Sequence, residues 1–246
     1  MMPWIDLKAV YERLKTEKQY AGVCIQIQQL WSLYAIQADL DFARGAITQL
    51  MKIGPSEDGH RQATSEAEAA IFDSLLVNAV ISYCRAAVSD AASERFSMLG
   101  DRHLKGDRKA QHKLVVDLRN KVLAHHGYGE FHPETPWLRD ALVFRVTETL
   151  IRVRGVYIRL NTSKDVMVAL DSVTTAALAQ CAELEVKFRE VLSTTLLSLG
   201  RDEEFVATIK ECVFDGPTFF GDQPGWDAAT GDFIIKVGER TFSVKA

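Results

Sequence analysis

The chain has 246 residues, 47% of them hydrophobic, and a formal net charge of −4 at pH 7. This length and apolar content allow one large domain, or a domain with a small appendage, to bury a sizeable core. The mild acidity argues against a general polyanion binder. No run of about 18 apolar residues occurs and the first residues lack an apolar signal-peptide core, so we expect a cytoplasmic protein without a membrane span.

The first half of the chain has the apolar period of helices. Apolar residues recur at helical spacing from Trp4 to Leu14, and a longer stripe runs from Val23 to Met51. The breaker "GPSEDGH" ends that stripe, and Ser65 with Glu68 forms a capping box for the next helix. Such stripes, separated by polar loops, predict an antiparallel helical bundle.

A further helix is predicted to begin after Asp107, a residue type favoured at N-caps, and to continue to residue 126. On an ideal helical wheel, His125 lies in the centre of its apolar stripe, whereas Arg119 and His126 lie together at the edge. Two interpretations remain open. Either these are structural side chains at the end of a helix, or a second copy of the helix completes an Arg/His cleft.

The apolar period changes after this helix. Alternation in "LVFRVT" and "IRVRGVYIRL" predicts a β element near 139–161, with room for a bulge at Gly155. Asp171 is a suitable cap for another long helix, in which Val191 and Leu192 are expected to face inward. The tail from Phe214 to Asp232 has the composition of a loop, and "FIIKVGERTFSV" predicts a C-terminal hairpin that turns near residue 238.

The fold prediction is therefore mainly α: a helical domain over 1–200 that contains the β element, and a C-terminal extension with a hairpin over 201–246. The four cysteines form no CxxC pair, which predicts reduced thiols. We expect no metal site and no cofactor, because zinc-type spacings, the P-loop, GxGxxG and GxSxG are missing from the sequence. Residues 101–164 hold 13 Lys/Arg against 7 Asp/Glu, which indicates an anionic ligand at one face.

The stretch "RNKVLAH", from Arg119 to His125, resembles the R-N-x(4)-H form of the R-x(4–6)-H motif of HEPN domains. These small helical bundles often dimerise and include many metal-independent RNases of toxin–antitoxin, abortive-infection and CRISPR systems. The order of elements around the motif is similar to the abortive-infection branch. The resemblance covers about residues 20–200 and leaves the C-terminal hairpin unexplained.

The resemblance implies an endoribonuclease that acts at an Arg/His site in a dimer interface. It assigns acid–base transfer to His125, stabilisation of the phosphate charge to Arg119 and orientation of these groups to Asn120. His126, Arg85 and Lys121 are candidate substrate-binding residues. The implied partners are a second copy of the chain, RNA, and an antitoxin or other defence protein. The alternative is a non-catalytic HEPN-like interaction or scaffold protein whose motif helix packs a homodimer.

Overall fold

The computed structural model describes residues 4–53, 65–88, 99, 104–123, 138–146, 151–159, 164–220, 226–227, 232–237 and 240–244. Its helices are α1 (Leu7–Leu14), α2 (Ala21–Ile53), α3 (Glu66–Ala87), α4 (Arg108–Asp117), α5 (Lys164–Leu199), α6 (Glu203–Glu211) and α7 (Gly216–Phe220). A 3-10 turn at Lys18–Tyr20 precedes α2, and a π-helical turn at Leu118–Leu123 follows α4. The strands are β1 (Leu138–Val146), β2 (Ile151–Arg159), β3 (Trp226–Asp227), β4 (Asp232–Val237) and β5 (Arg240–Val244). The described chain is mainly helical, as the sequence predicted.

The starts of the helices follow their capping residues. The carboxylate of Asp6 accepts hydrogen bonds from the backbone N–H groups of Lys8 (2.8 Å) and Ala9 (3.2 Å), so α1 begins at Leu7 and Trp4 precedes it. Ser65 Oγ accepts from the backbone N–H of Glu68, which confirms the predicted N-terminal cap of α3. Asp107 directly precedes α4, but its side chain makes no capping hydrogen bond.

A single apolar cluster joins α2, α3, α4 and α5 with the π-helical turn. Each helix contributes the face that its sequence period defines, such as Leu40 from α2, Leu76 from α3, Val115 from α4 and Leu170 from α5. These side chains are fully buried, as is Leu118 at the start of the π-helical turn. The cluster therefore fixes the inner side of the segment that carries Arg119.

The start of α5 corrects one sequence prediction. Asp171 does not cap this helix, because α5 already begins at Lys164 and Asp171 lies inside it. The residues before Asp171 follow the helical period, and Val166, Met167 and Leu170 are all buried. Near the other end of the same helix, Leu192 is buried as expected.

Val191, which was expected to face inward, is exposed. Val191 and Leu192 could not both face inward if the buried stripe of the helix is narrow. Adjacent residues of an α-helix lie about 100° apart, so the side chains diverge.

Strands β1 and β2 pair antiparallel, with Leu142 opposite Gly155 and Val146 opposite Ile151. The pairing is one-to-one along both strands, so the bulge suggested at Gly155 is absent from this ladder. Gly155 fits a regular strand position here, and the change of apolar parity in the sequence did not require an extra residue.

The C-terminal part is more structured than its composition indicated. Asp202 caps α6 by accepting from the backbone N–H of Phe205 at 3.0 Å, and α7 interrupts the stretch expected to be a loop. Strand β4 pairs antiparallel with β3 and with β5. The predicted hairpin turn near 238 lies outside the described residues.

The chain divides into two compact units. One contains residues 1–28 and 191–246, and the other contains residues 29–190 with the four-helix cluster and the motif. The division falls within α2 and α5, whereas the sequence placed its boundary at residue 200. All four cysteines are buried, and none of them is in a disulfide, in agreement with the prediction of reduced thiols.

Candidate functional site

The candidate site lies where α4 passes into the π-helical turn Leu118–Leu123. A continuous α-helix was expected here. In a π turn each backbone N–H bonds to the carbonyl five residues earlier, so the turn is wider than an α turn, and such turns occur frequently at functional sites. Leu118 is fully buried, whereas the next two residues, Arg119 and Asn120, are exposed.

Arg119 and Asn120 are joined by a hydrogen bond. Nη1 of Arg119 donates to Oδ1 of Asn120 at 3.3 Å, and both side chains lie at the surface. A guanidinium carries five N–H donors, so this bond leaves donors for an anionic ligand. The pair therefore offers a fixed positive charge and an oriented amide side by side.

The charge of Arg119 affects the thiol of Cys84, near the C-terminal end of α3. Burial raises the pKa of the Cys84 thiol to about 11, and the nearby Arg119 charge partly opposes that increase. Cys84 is buried in the core cluster, so its sulfur lies beneath the surface that Arg119 occupies. A neutral thiol of this kind is not a nucleophile at neutral pH.

Arg85, the candidate second phosphate contact, already has a partner. Its Nη2 makes an ion pair with Oδ1 of Asp39 in α2. The Asp39 side chain is 7% exposed and that of Arg85 is 57% exposed. The pair therefore links α2 to the last turn of α3, and the structure gives Arg85 a structural role. Its predicted contact with substrate stays a prediction.

Sequence analysis missed the pair formed by Tyr83 and His112. The Tyr83 hydroxyl lies 2.8 Å from Nδ1 of His112, and the two rings meet edge to face with centroids 5.8 Å apart. Burial raises the pKa of Tyr83, so its hydroxyl keeps its proton and can donate to a neutral imidazole. The signal in the sequence was a tyrosine on the buried stripe of α3, which needs a polar partner. The pair connects α3 with α4 just before the motif.

The remaining predicted site residues are only partly visible. Lys121 lies in the π-helical turn, but its side chain is outside the described part of the chain. His125 and His126 lie wholly outside the described residues. The structure therefore brings Arg119, Asn120 and the last turn of α3 together, and it does not test the two histidines. Within the described ranges there is no group of three or more His, Cys, Asp or Glu residues that could hold a metal ion.

Comparison with known proteins identifies no relative. No protein-family model matches the chain, and neither the curated proteins nor the solved structures give a significant match.

Proposed function

We propose that the protein is a metal-independent endoribonuclease of a defence or toxin–antitoxin type, acting at an Arg/His site in a dimer interface. The observation that supports this proposal is the exposed Arg119–Asn120 pair on a π-helical turn. The R-N-x(4)-H spacing adds His125 to this pair. The excess of basic residues in 101–164, the part of the sequence that contains the motif, favours an anionic substrate.

The proposed chemistry needs one proton-transfer group and one fixed cation. His125 takes the proton of a ribose 2′-hydroxyl, and the 2′-oxygen then attacks the adjacent phosphorus. The bond from phosphorus to the 5′-oxygen breaks, and that oxygen receives the proton that His125 carries, which returns the histidine to its neutral form. The products are a 2′,3′-cyclic phosphate and a 5′-hydroxyl end. Arg119 stabilises the charge that develops on the phosphate oxygens, and Asn120 holds Arg119 in place.

A second candidate function belongs to a different class. The polar groups around the motif are engaged within the protein, since Arg85 is bound to Asp39 and Tyr83 to His112. This observation favours a non-catalytic interaction or scaffold protein whose motif helix packs a homodimer. A neighbouring gene that encodes a small protein would favour the endoribonuclease over the scaffold, because a toxin–antitoxin pair is encoded side by side.

The deciding experiment is cleavage of labelled RNA by the purified protein in EDTA, beside Arg119→Ala. Arg119 is exposed, so this variant is expected to fold like the wild type. We expect wild-type cleavage with 2′,3′-cyclic phosphate ends, detected by mass spectrometry, and a loss on the order of 100-fold or more in the variant. Equal cleavage by both proteins would remove Arg119 from the mechanism. Cleavage that requires added magnesium would exclude the metal-independent route.

A further inference from the structure

The outer face of α3 is unusual for a surface helix because it is nearly uncharged. Six of its exposed residues recur at alternating steps of four and three, namely Ala67, Ile71, Ser74, Asn78, Ile81 and Arg85, and the exposed Ala70 lies beside them. At about 100° per residue these six positions fall within an arc of about 80°. We call them the α3 seam. Alternating steps of four and three are the spacing by which one helix packs along another.

Two large apolar side chains on the seam are left without cover. Ile71 is 56% exposed and Ile81 is 39% exposed, while the opposite side of the helix, with Phe72, Leu76 and Tyr83, is buried in the core. The helix therefore has one face that the core completes and a second face with the spacing of a packing surface.

The seam is symmetric along the sequence. Ile71 and Ile81 stand five residues to either side of position 76, and Ser74 and Asn78 stand two residues to either side. In an antiparallel pair of identical helices related by a two-fold axis, positions equidistant from the axis meet. A second α3 would therefore place Ile71 against the other copy's Ile81, and Ser74 against the other copy's Asn78.

The polar groups of the seam also complement one another in this arrangement. Asn78 Oδ1 accepts a hydrogen bond from Ser82 Oγ at 3.1 Å, which orients the amide, and its N–H donors bond to no residue in the described ranges. Ser74 Oγ donates to the carbonyl of Ala70 at 2.7 Å, so its lone pairs can accept. A single asparagine in such a seam is a known means of fixing register.

The charges at the two ends favour the antiparallel direction. Arg85 in the last turn of α3 would stand opposite Ala67 of the other copy, one residue before Glu68, while it keeps its ion pair with Asp39. The helix dipoles oppose each other in the same arrangement, which adds a favourable term at both ends. A parallel pair would instead bring like charges together.

We propose that the α3 seam is a self-association surface, on which α3 of a second copy of this chain packs antiparallel about a two-fold axis at the level of position 76. This interface is distinct from the motif-helix interface of the proposed function and does not depend on it. If both interfaces form, a chain with two different two-fold contacts builds an assembly larger than a dimer.

The first test measures mass by light scattering across a concentration series. The variant Ile71→Asp/Ile81→Asp places four carboxylates in the two-fold contact, and both sites are exposed enough to leave the fold intact. The matched control is Val168→Asp/Val186→Asp, which changes two exposed valines of α5. We expect the seam variant to have half the mass of the wild type or less, and the control to keep the wild-type mass. An unchanged mass in the seam variant, or a monomeric wild type, would overturn the proposal.

The second test fixes the direction of packing. Ile71→Cys and Ile81→Cys are prepared as separate proteins and oxidised alone and as a mixture. In the antiparallel pair, identical positions are ten residues apart along the axis, about 15 Å, which is too far for a disulfide. Position 71 of one copy instead faces position 81 of the other. We expect cross-linked dimer only in the mixture, since the native cysteines are buried. Cross-linking of either protein alone would contradict the antiparallel register.

A lipid surface is the competing occupant. By length and composition alone, Ala67–Ala87 is able to cross a membrane, although one such helix is weak evidence for a span. Co-sedimentation of the wild type, but not of the seam variant, with phosphatidylcholine vesicles would assign the seam to lipid and overturn self-association.

RNA cleavage measured on the same variants separates the seam proposal from the proposed endoribonuclease function. Loss of association without loss of cleavage supports the seam as an independent surface, whereas absence of cleavage in every protein bears only on the proposed function.

Discussion

Two roles are considered for Arg85, a structural ion pair with Asp39 and a contact with a substrate phosphate. Its guanidinium is held by the buried Asp39, and a hydrogen bond between charged groups contributes about 1.5–3 kcal/mol. We expect Arg85→Ala to lower the free energy of unfolding by an amount in that range, measured by urea denaturation. Arg85→Lys should lower it less, because one cationic contact can be retained. A stability equal to the wild type in Arg85→Ala would show that the ion pair contributes nothing and would leave phosphate binding as the role of Arg85.

Because burial raises the pKa of the Cys181 thiol, we expect the stability of the protein to depend on pH in the alkaline range. Burial, reinforced by the charges of Asp41 and Glu185, raises the pKa of Cys181 to about 12 from an unperturbed value of 9.0. The folded state therefore keeps a proton that the unfolded state loses above pH 9. The stabilising contribution is complete below pH 9 and is lost as the pH rises towards 12.

We expect the free energy of unfolding of the wild type to fall relative to Cys181→Ala over that range, by about 1.4 kcal/mol per pH unit. Urea denaturation of both proteins at pH 8, 9, 10 and 11 measures the difference, and the variant removes the background from other alkaline titrations. If the difference in unfolding free energy between the two proteins stays constant over this series, the Cys181 thiol ionises as readily in the folded protein as in the unfolded chain.

At the scale of elements, the π-helical turn changes how the two histidines are ranked. An ideal α wheel places His126 nearer to Arg119 than His125, by about 20° against about 120°. That calculation does not apply across Leu118–Leu123, where the turn is wider than in an α-helix. In the proposed function the motif spacing favours His125 for proton transfer, and His126 remains a candidate phosphate contact.

We expect His125→Ala to reduce RNA cleavage on the order of 100-fold, which is typical for loss of a general acid or base, and His126→Ala to reduce it much less. Initial rates under single-turnover conditions give the comparison, with circular dichroism as the folding control. A larger loss in His126→Ala would mean that His126, which six residues separate from Arg119, is the proton-transfer group. Full activity in both variants would support the scaffold function.

At the scale of the whole molecule, the proposed function requires a homodimer with the 108–126 segment at or near the two-fold axis. A second copy would bring another Arg119 to the apolar edge that α4 and the π-helical turn present, and two half-sites would form one cleft. We expect inactive Arg119→Ala and inactive His125→Ala proteins to regain cleavage when mixed, if the two residues act across the interface. Mixing that restores no activity, in proteins whose exchange is verified by mass, would place both residues in one copy.

The sequence determined those features that depend on local chemistry. Apolar residues at helical spacing predicted a bundle of helices and the buried position of Leu192, and Ser65 identified the start of α3, because a helix end needs a side-chain acceptor nearby. The free state of the cysteines was also predicted, since no pair had the spacing of a metal site. The Arg119–Asn120 part of the candidate site followed from the motif alone.

Only the tertiary structure decided which side chains have partners and which helical faces are covered. Arg85 and Asp39 are 46 residues apart, and Tyr83 and His112 are 29 apart, so no local pattern reveals either pair. The π-helical turn likewise differs from an α turn in backbone bonding rather than in residue type. Exposure of Ile71 and Ile81 depends on where the neighbouring helices pack, because a helical period shows that a face is apolar but not whether the fold buries it.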